Sequence, residues 1–368
     1  MRPDASLRDR FERGLAAPIC LTWELTWACN LACVHCLSSS GRRDPRELTT
    51  SEAMALVDEF AAMQIFYVNV GGGEPTIRAD FFELLSYAVD AGVGVKFSTN
   101  GTRITRARAR ELASMDYVDV QVSIDGATRE VNDPVRGAGS FDAAITAMEH
   151  LCAEGFENFK VSVVVTRDNV DQLDALEALA RRFGAQLRLT RLRPSGRAVE
   201  HYERLRPTAA QNRALYHWLV ARPEVLTGDS FFHLSALGAP LDGLNLCGAG
   251  RVVCLIDPVG DVYACPFTIH EEFLAGSVRG DGGFAAVWRE SPKFLELRSP
   301  SSPGACASCG SYDACRGGCM AAKFFTGMPL EGPDPDCVLG HGASPAPLPV
   351  TLRPRPGRDH SRTALLGA

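Results

Sequence analysis

Three thiols on one short segment are the first residues whose types and spacing could do chemistry. Cys29, Cys33 and Cys36 follow the pattern Cys-x3-Cys-x2-Cys within ACNLACVHC. Thiolates bind soft metals, and a [4Fe–4S] cube takes one thiolate on each iron. Three cysteines on one loop therefore leave one iron open to a ligand that the protein does not supply. The same trio also reads as a zinc site lacking its fourth ligand.

The chain has thirteen cysteines, an odd number that cannot pair completely as disulfides. A second concentration lies in the last third: Cys247, Cys265, Cys306, Cys309, Cys315, Cys319 and Cys337. Clusters this tight are metal sites, either iron–sulfur clusters or a pair of zinc ribbons. Cys254 stands between Cys247 and Cys265, whereas Cys20 and Cys152 are isolated and read as small core residues. Glycines mark a further site at Gly71-Gly72-Gly73-Glu74-Pro75, where a backbone free of side chains lets a ligand approach and Glu74 complements an ammonium. Alone, this pentapeptide is also an ordinary turn. Ser98-Thr99-Asn100-Gly101, Ser123-Ile124-Asp125-Gly126 and Asn132-Asp133-Pro134-Val135-Arg136-Gly137 add polar groups further along.

Elements that could position these groups alternate from residue 19 to about 190. Strands are expected at Ile19 to Glu24, Ile65 to Val70, Val93 to Phe97, Tyr117 to Val122, Phe159 to Val165 and Gln186 to Thr190. The first intervening helix opens with Thr49 and Glu52 at capping-box spacing and carries Ala53, Leu56, Val57 and Phe60 on one stripe. Phe81, Leu84, Leu85 and Ala88 form a second stripe, and Leu173, Leu176, Ala180 and Phe183 a third. This rhythm predicts an α/β fold with six βα units, too few for a closed eight-stranded barrel and suited to an open, partial (β/α)6 barrel. Ligands of such folds gather at the C-terminal strand ends, which is where the long loop with the early cysteines falls.

A linking region has a helix near Thr208 to Val220, and from about Leu241 onward glycine, proline and cysteine dominate. A hairpin is expected around Pro258-Val259-Gly260, with little other regular structure, so metal would stabilise this part. The expected organisation is an N-terminal arm at 1–17, the partial barrel at 18–232, a bridging and cysteine-rich region at 233–342, and a disordered tail at 343–368. The chain has 368 residues, 46% hydrophobic and 22% charged, with a net charge of -6. That balance indicates a globular protein and argues against a nucleic-acid partner, which calls for a basic face. No apolar run suits a membrane span or a secretory signal, so a cytoplasmic location is expected.

The early cysteines, joined to the glycine motif one βα unit later, resemble the radical S-adenosylmethionine (SAM) superfamily. The resemblance implies that SAM occupies the open iron and is split by one electron to a 5′-deoxyadenosyl radical. It further implies that Gly72, Gly73 and Glu74 hold the methionine amino group, that Ser123 and Asp125 contact SAM, and that Arg136 meets its carboxylate. The last three also read as turn or surface residues. His35 departs from the family, which usually has an aromatic residue before the last cysteine. The later cysteines, with Gly260, resemble the SPASM extension of peptide-modifying radical SAM enzymes, which implies two auxiliary [4Fe–4S] clusters and three in all. Seven thiolates fall one short of two cubes. By likeness to sulfatase-maturing relatives, Cys254 completes one cluster with Cys247, Cys265 and Cys319, and the other takes Cys306, Cys309, Cys315 and Cys337.

From about Phe11 to Gly340, segments such as APICLTWELTWACNLACVHCLSSSG, LCGAGRVVCLIDPVGDVYACPF and CRGGCMAAKFFTG are similar to the mycofactocin maturase family. That likeness implies a ribosomally made precursor peptide ending in valine-tyrosine, a small leader-binding chaperone and an external electron donor. It implies oxidative decarboxylation of the C-terminal tyrosine, then carbon–carbon bond formation between the penultimate valine and the tyramine unit to give a lactam. Gly228-Asp229-Ser230-Phe231-Phe232-His233 is a candidate for facing the substrate, or else a packed linker. Other readings are a sulfatase-maturing formylglycine former, a different peptide cross-linker, or a non-catalytic zinc-binding scaffold.

Overall fold

The computed structural model describes residues 5–228, 230–299 and 303–342. The tail expected at 343–368 lies outside the described residues. Six strands form where apolar runs predict them: β1 (Cys20–Thr26), β2 (Tyr67–Gly72), β3 (Gly94–Thr99), β4 (Val118–Ser123), β5 (Phe159–Val165) and β6 (Gln186–Arg191). Each pairs in parallel with the next. Laid flat, five strand spacings would separate β1 from β6 by about 24 Å. Instead the loop after β6 rests on the loop after β1, with Arg197 Nε donating to Cys33 O at 2.9 Å and Nη1 to Ser40 O at 2.8 Å. The sheet is therefore curled into the open barrel.

Alternation along the strands divides the two faces. Leu21, Trp23, Val68, Val70, Val95 and Phe97 are buried on the outer face. Covering helices present the expected stripes, Ala53, Leu56, Val57 and Phe60 from Thr50–Ala62 and Phe81, Leu84, Leu85 and Ala88 from Phe81–Asp90. Thr49 and Glu52 form the capping box at the start of the first. The inner residues Thr22, Asn69, Lys96, Asp119, Lys160 and Arg188 are only half-buried. The lumen is thus polar and reached by solvent.

The sheet continues past β1 into the cysteine-rich region. β7 (Val253–Ile256) pairs in parallel with β1, β8 (Asp261–Tyr263) returns antiparallel as the expected hairpin, and β9 (Leu274–Ser277) follows. More of this region is regular than its composition suggests. Helices Gly283–Glu290 and Pro292–Arg298 bury Phe284, Trp288 and Phe294 in the same apolar core as Leu21 and Phe60. The Phe284 and Phe60 rings meet edge-on at 5.8 Å. Apolar burial, and not metal alone, therefore holds this part in place.

Two cysteines differ from expectation. Cys152 is exposed, because it follows Leu151 near the end of helix Ser140–Ala153 and only Leu151 turns inward. Cys20 is half-buried at the lumen, its Sγ 3.6 Å from Asn69 Nδ2. Among the described residues no helix is long and apolar enough to cross a membrane.

Candidate active site

The loop after β1 carries Cys29, Cys33 and Cys36, and a buried carboxylate anchors its root. Glu47 accepts from Thr26 Oγ1 at 2.9 Å and from Trp27 N at 2.8 Å. Cys29 N donates to Gly41 O at 3.0 Å, folding the loop back on itself. Burial, helped by Cys36, Glu74 and Cys33 and opposed by the Leu31 N–H, pushes the Cys29 thiol up to about 12. Crowded thiols with raised proton affinity are deprotonated by a metal centre and by little else.

Asp125, at the end of β4, clamps this loop to the barrel. Its carboxylate meets His35 Nε2 at 2.5 Å and Arg136 Nε at 2.6 Å, and accepts from Val164 N at 2.7 Å. Burial alone would raise this carboxyl, but Arg136 and His35 hold it below the usual carboxylate range. Position 35 thus has an electrostatic role that a plain aromatic ring could not fill. Asp125 and Arg136, both read as SAM contacts, touch each other. Ser123 is half-buried at the last position of β4, opposite Ser162.

Glu74 is buried at the rim, accepting from Thr99 Oγ1 at 2.8 Å, Asn100 N at 2.7 Å and Thr76 Oγ1 at 2.5 Å. The glycines before it have a reason beyond ligand approach. A Cβ on Gly72, whose φ is +107°, would lie 2.5 Å from Thr26 O, and one on Gly73 would lie 2.0 Å from Ala28 O. Here the glycine motif and the cysteine loop touch backbone to backbone. Gly73→Ala should therefore displace the loop and cost about 1–3 kcal/mol. Urea unfolding would read this as a lower midpoint, and an unchanged midpoint would mean that the contact gives way freely.

The later cysteines form two groups. Cys306, Cys309, Cys315 and Cys337 line one cavity, with His233, Tyr312 and Asp334 in its wall. No three His, Cys, Asp or Glu among the described residues converge tightly enough to grip a single ion. Four thiols around a cavity are what a cube-sized group needs, so the donor set fits a [4Fe–4S] cluster. In the second group, burial and then the neighbouring Cys247 and Cys319 raise the Cys265 thiol. Cys319 differs: burial opposes ionisation, but Arg193 and Arg191 bring its thiol down, Arg193 Nε lying 3.3 Å from its Sγ. Cys254 is fully buried within β7, its thiol raised by burial and then by Cys20 and Cys265.

A buried ionic seam joins β6 to this region. Arg191 donates to Asp334 at 2.6 and 2.8 Å and to Asp336 at 2.8 Å, while Asp334 accepts from Cys319 N at 2.7 Å. Nothing in the sequence singles out Arg191, Arg193 or Asp334, whose partners lie on distant segments, and His35 stands out only as a departure from the family pattern, with no sign of its partner Asp125. The segment at Gly228 to His233 also behaves differently from a substrate-facing strip. Ser230, Phe231, Phe232 and His233 are buried, Phe232 packing against Cys319 and Ala321, because apolar rings gain more in the core than at an open rim. Asp229 lies outside the described residues.

Residues 23–180 match the radical SAM superfamily model, and residues 247–310 match an iron–sulfur cluster-binding domain, SPASM. Mycofactocin maturase MftC of Mycolicibacterium smegmatis is 67% identical over 365 residues, spanning 98% of this chain and 93% of the relative. An AdoMet-dependent heme synthase of Methanosarcina barkeri is 31% identical over 350 residues, 89% of this chain and 98% of that protein. Among solved structures, Streptococcus suis SuiB bound to precursor peptide SuiA superposes with a TM-score of 0.70. That match covers 89% of this chain and 77% of that one at 19% identity, a likeness of fold.

Proposed function

This chain belongs to the mycofactocin maturase family of radical SAM enzymes, and from that premise we propose that it matures a ribosomally made precursor peptide ending in valine-tyrosine. The observation that carries the reading is 67% identity across 98% of the chain, against 31% for the heme synthase. In this reading the C-terminal tyrosine loses carbon dioxide and two hydrogens, leaving an unsaturated tyramine end. The penultimate valine carbon then bonds to that unit and closes a lactam. Cys29, Cys33 and Cys36 would hold the SAM-binding cluster. Cys247, Cys254, Cys265 and Cys319 would hold one auxiliary cluster, and Cys306, Cys309, Cys315 and Cys337 the other. When bound, the first cluster and SAM supply a deoxyadenosyl radical that takes hydrogen from carbon.

The chain's own residues hold and shield. Gly72, Gly73, Glu74, Ser123, Asp125 and Arg136 are the proposed SAM contacts around the rim. Glu74 would face the SAM ammonium while its other lone pairs stay on Thr76, Thr99 and Asn100. His35 and Arg136 keep Asp125 ionised and the loop in register. A primary radical requires a water-poor site, so the bound peptide would have to fill the solvent-reached lumen. A leader-binding chaperone and an external electron donor complete the system.

The test is an anaerobic reaction of reconstituted protein, reductant, SAM, chaperone and precursor, followed by mass spectrometry. Loss of the mass of formic acid together with deoxyadenosine is expected. Deoxyadenosine beside an unchanged peptide would overturn the substrate while keeping the radical chemistry.

A further inference from the structure

The barrel lumen holds two cations, Lys96 and Arg188, that make no ion pair among the described residues. Register places Asn69 opposite Lys96 and Lys96 opposite Asp119 on β2, β3 and β4, and Ser162 opposite Arg188 on β5 and β6. All these side chains lie on the inner, half-buried face. The ionisable groups on this face are Cys20, Glu24, Tyr67, Lys96, Asp119, Lys160 and Arg188. Lys160 is taken by Asp119 in an ion pair. Glu24 is committed at the rim to Ser38 and Trp27 Nε1. Burial, with Asp119 near it, keeps the Tyr67 hydroxyl up at about 12, and burial likewise raises the Cys20 thiol, so both are neutral. Lys96 and Arg188 remain, with no ion pair or hydrogen bond among the described residues.

Burial makes the charged form of each less favourable, with Arg188 adding to this at Lys96 and Arg193 at Arg188, while Asp119 offsets part of it at both. Two like charges in a half-dry space that share only Asp119, itself paired with Lys160, are a standing cost that an arriving anion would reduce. Arg188 is held in place. Leu226 bonds to the β6 backbone through Leu189 N to Leu226 O at 2.8 Å, and Gly228, with φ at +53°, leaves only 3.1 Å between a notional Cβ and Arg188 Nη2. The guanidinium therefore lies beside Gly228. Lys96 lies three residues, about 10 Å, before Thr99 at the rim.

We propose that Lys96 and Arg188 form a carboxylate-binding site in the lumen, which receives the free C-terminal carboxylate of the peptide and so selects its terminal residue. This rests on the function proposed above. A carboxylate gripped there puts the terminal β-carbon two bonds away, on the side toward the rim. Both residues bind and position substrate, and neither is placed in the bond-breaking step.

The experiment compares labelled precursor peptides ending in a free carboxylate or a carboxamide, titrated by fluorescence anisotropy against reconstituted full-length protein saturated with chaperone and SAM. The wild type should bind the carboxamide at least about tenfold more weakly, as charge-assisted hydrogen bonds imply. Lys96→Met and Arg188→Met should each weaken the free acid by about tenfold and barely change the carboxamide. Iron content and melting temperature check that each variant is folded. Equal binding of the two peptides by wild type, which needs no variant, would overturn the proposal, as would variants that weaken both peptides alike. Failure of the Val-Tyr peptide to react would count against the proposed function only, since acid-against-amide discrimination is read by binding.

Discussion

Arg191→Met should destabilise the protein by about 3–5 kcal/mol, because it leaves two buried carboxylates facing each other without their shared cation. Arg191 has a side chain 4% exposed, and its guanidinium meets both Asp334 and Asp336, themselves 3% and 8% exposed. Methionine nearly fills the volume, so the loss is electrostatic. Arg206 reaches Asp336 only at 3.4 Å from a more exposed position, and cannot replace the lost charge. Asp334 also accepts the Cys319 N–H, so the disturbance reaches a thiol of the second cysteine group. A thermodynamic cycle separates charge from shape: adding Asp334→Asn to Arg191→Met should recover stability. Anaerobic urea unfolding, followed by circular dichroism with cluster absorbance in parallel, gives both quantities. A double variant as weak as the single one would assign the loss to packing instead.

Replacing Cys29, Cys33 and Cys36 together by alanine should end deoxyadenosine formation and lower bound iron from about twelve to about eight per chain, four per cube. The surviving iron would belong to the two later cysteine groups, whose thiols lie on other segments. Iron analysis and chromatography of the SAM cleavage products decide it. Unchanged iron in the triple variant would remove the cluster from this loop, and iron falling to nothing would mean that the three sites assemble only together.

The thiol spacings were legible because a cluster's ligands on one loop are a local pattern, and the helical stripes because 3.6-residue periodicity is local too. The inner faces of the strands were harder to read. Asn69, Lys96, Asp119 and Arg188 interrupt apolar runs singly, and a lone polar residue in a strand does not reveal whether it faces solvent, a partner or a lumen. Phe284 and Trp288, one helical turn apart among glycines, gave too short a pattern to announce a buried helix. Cys152 shows the converse, a small apolar residue whose neighbour took the inward position.

By itself, the sequence determined the six βα units, the placing of three thiols after the first strand, and the later cysteines with their spacing. Tertiary structure alone decided that Asp125 closes on both His35 and Arg136, that Glu74 is surrounded by donors from the next strand end, and that Arg191 meets Asp334 across 143 residues. It also decided that Lys96 and Arg188 share one lumen. The reason is curvature: contacts between strand ends far apart in the chain exist only once the parallel sheet has curled, and no local pattern of residues encodes the partner on the far side.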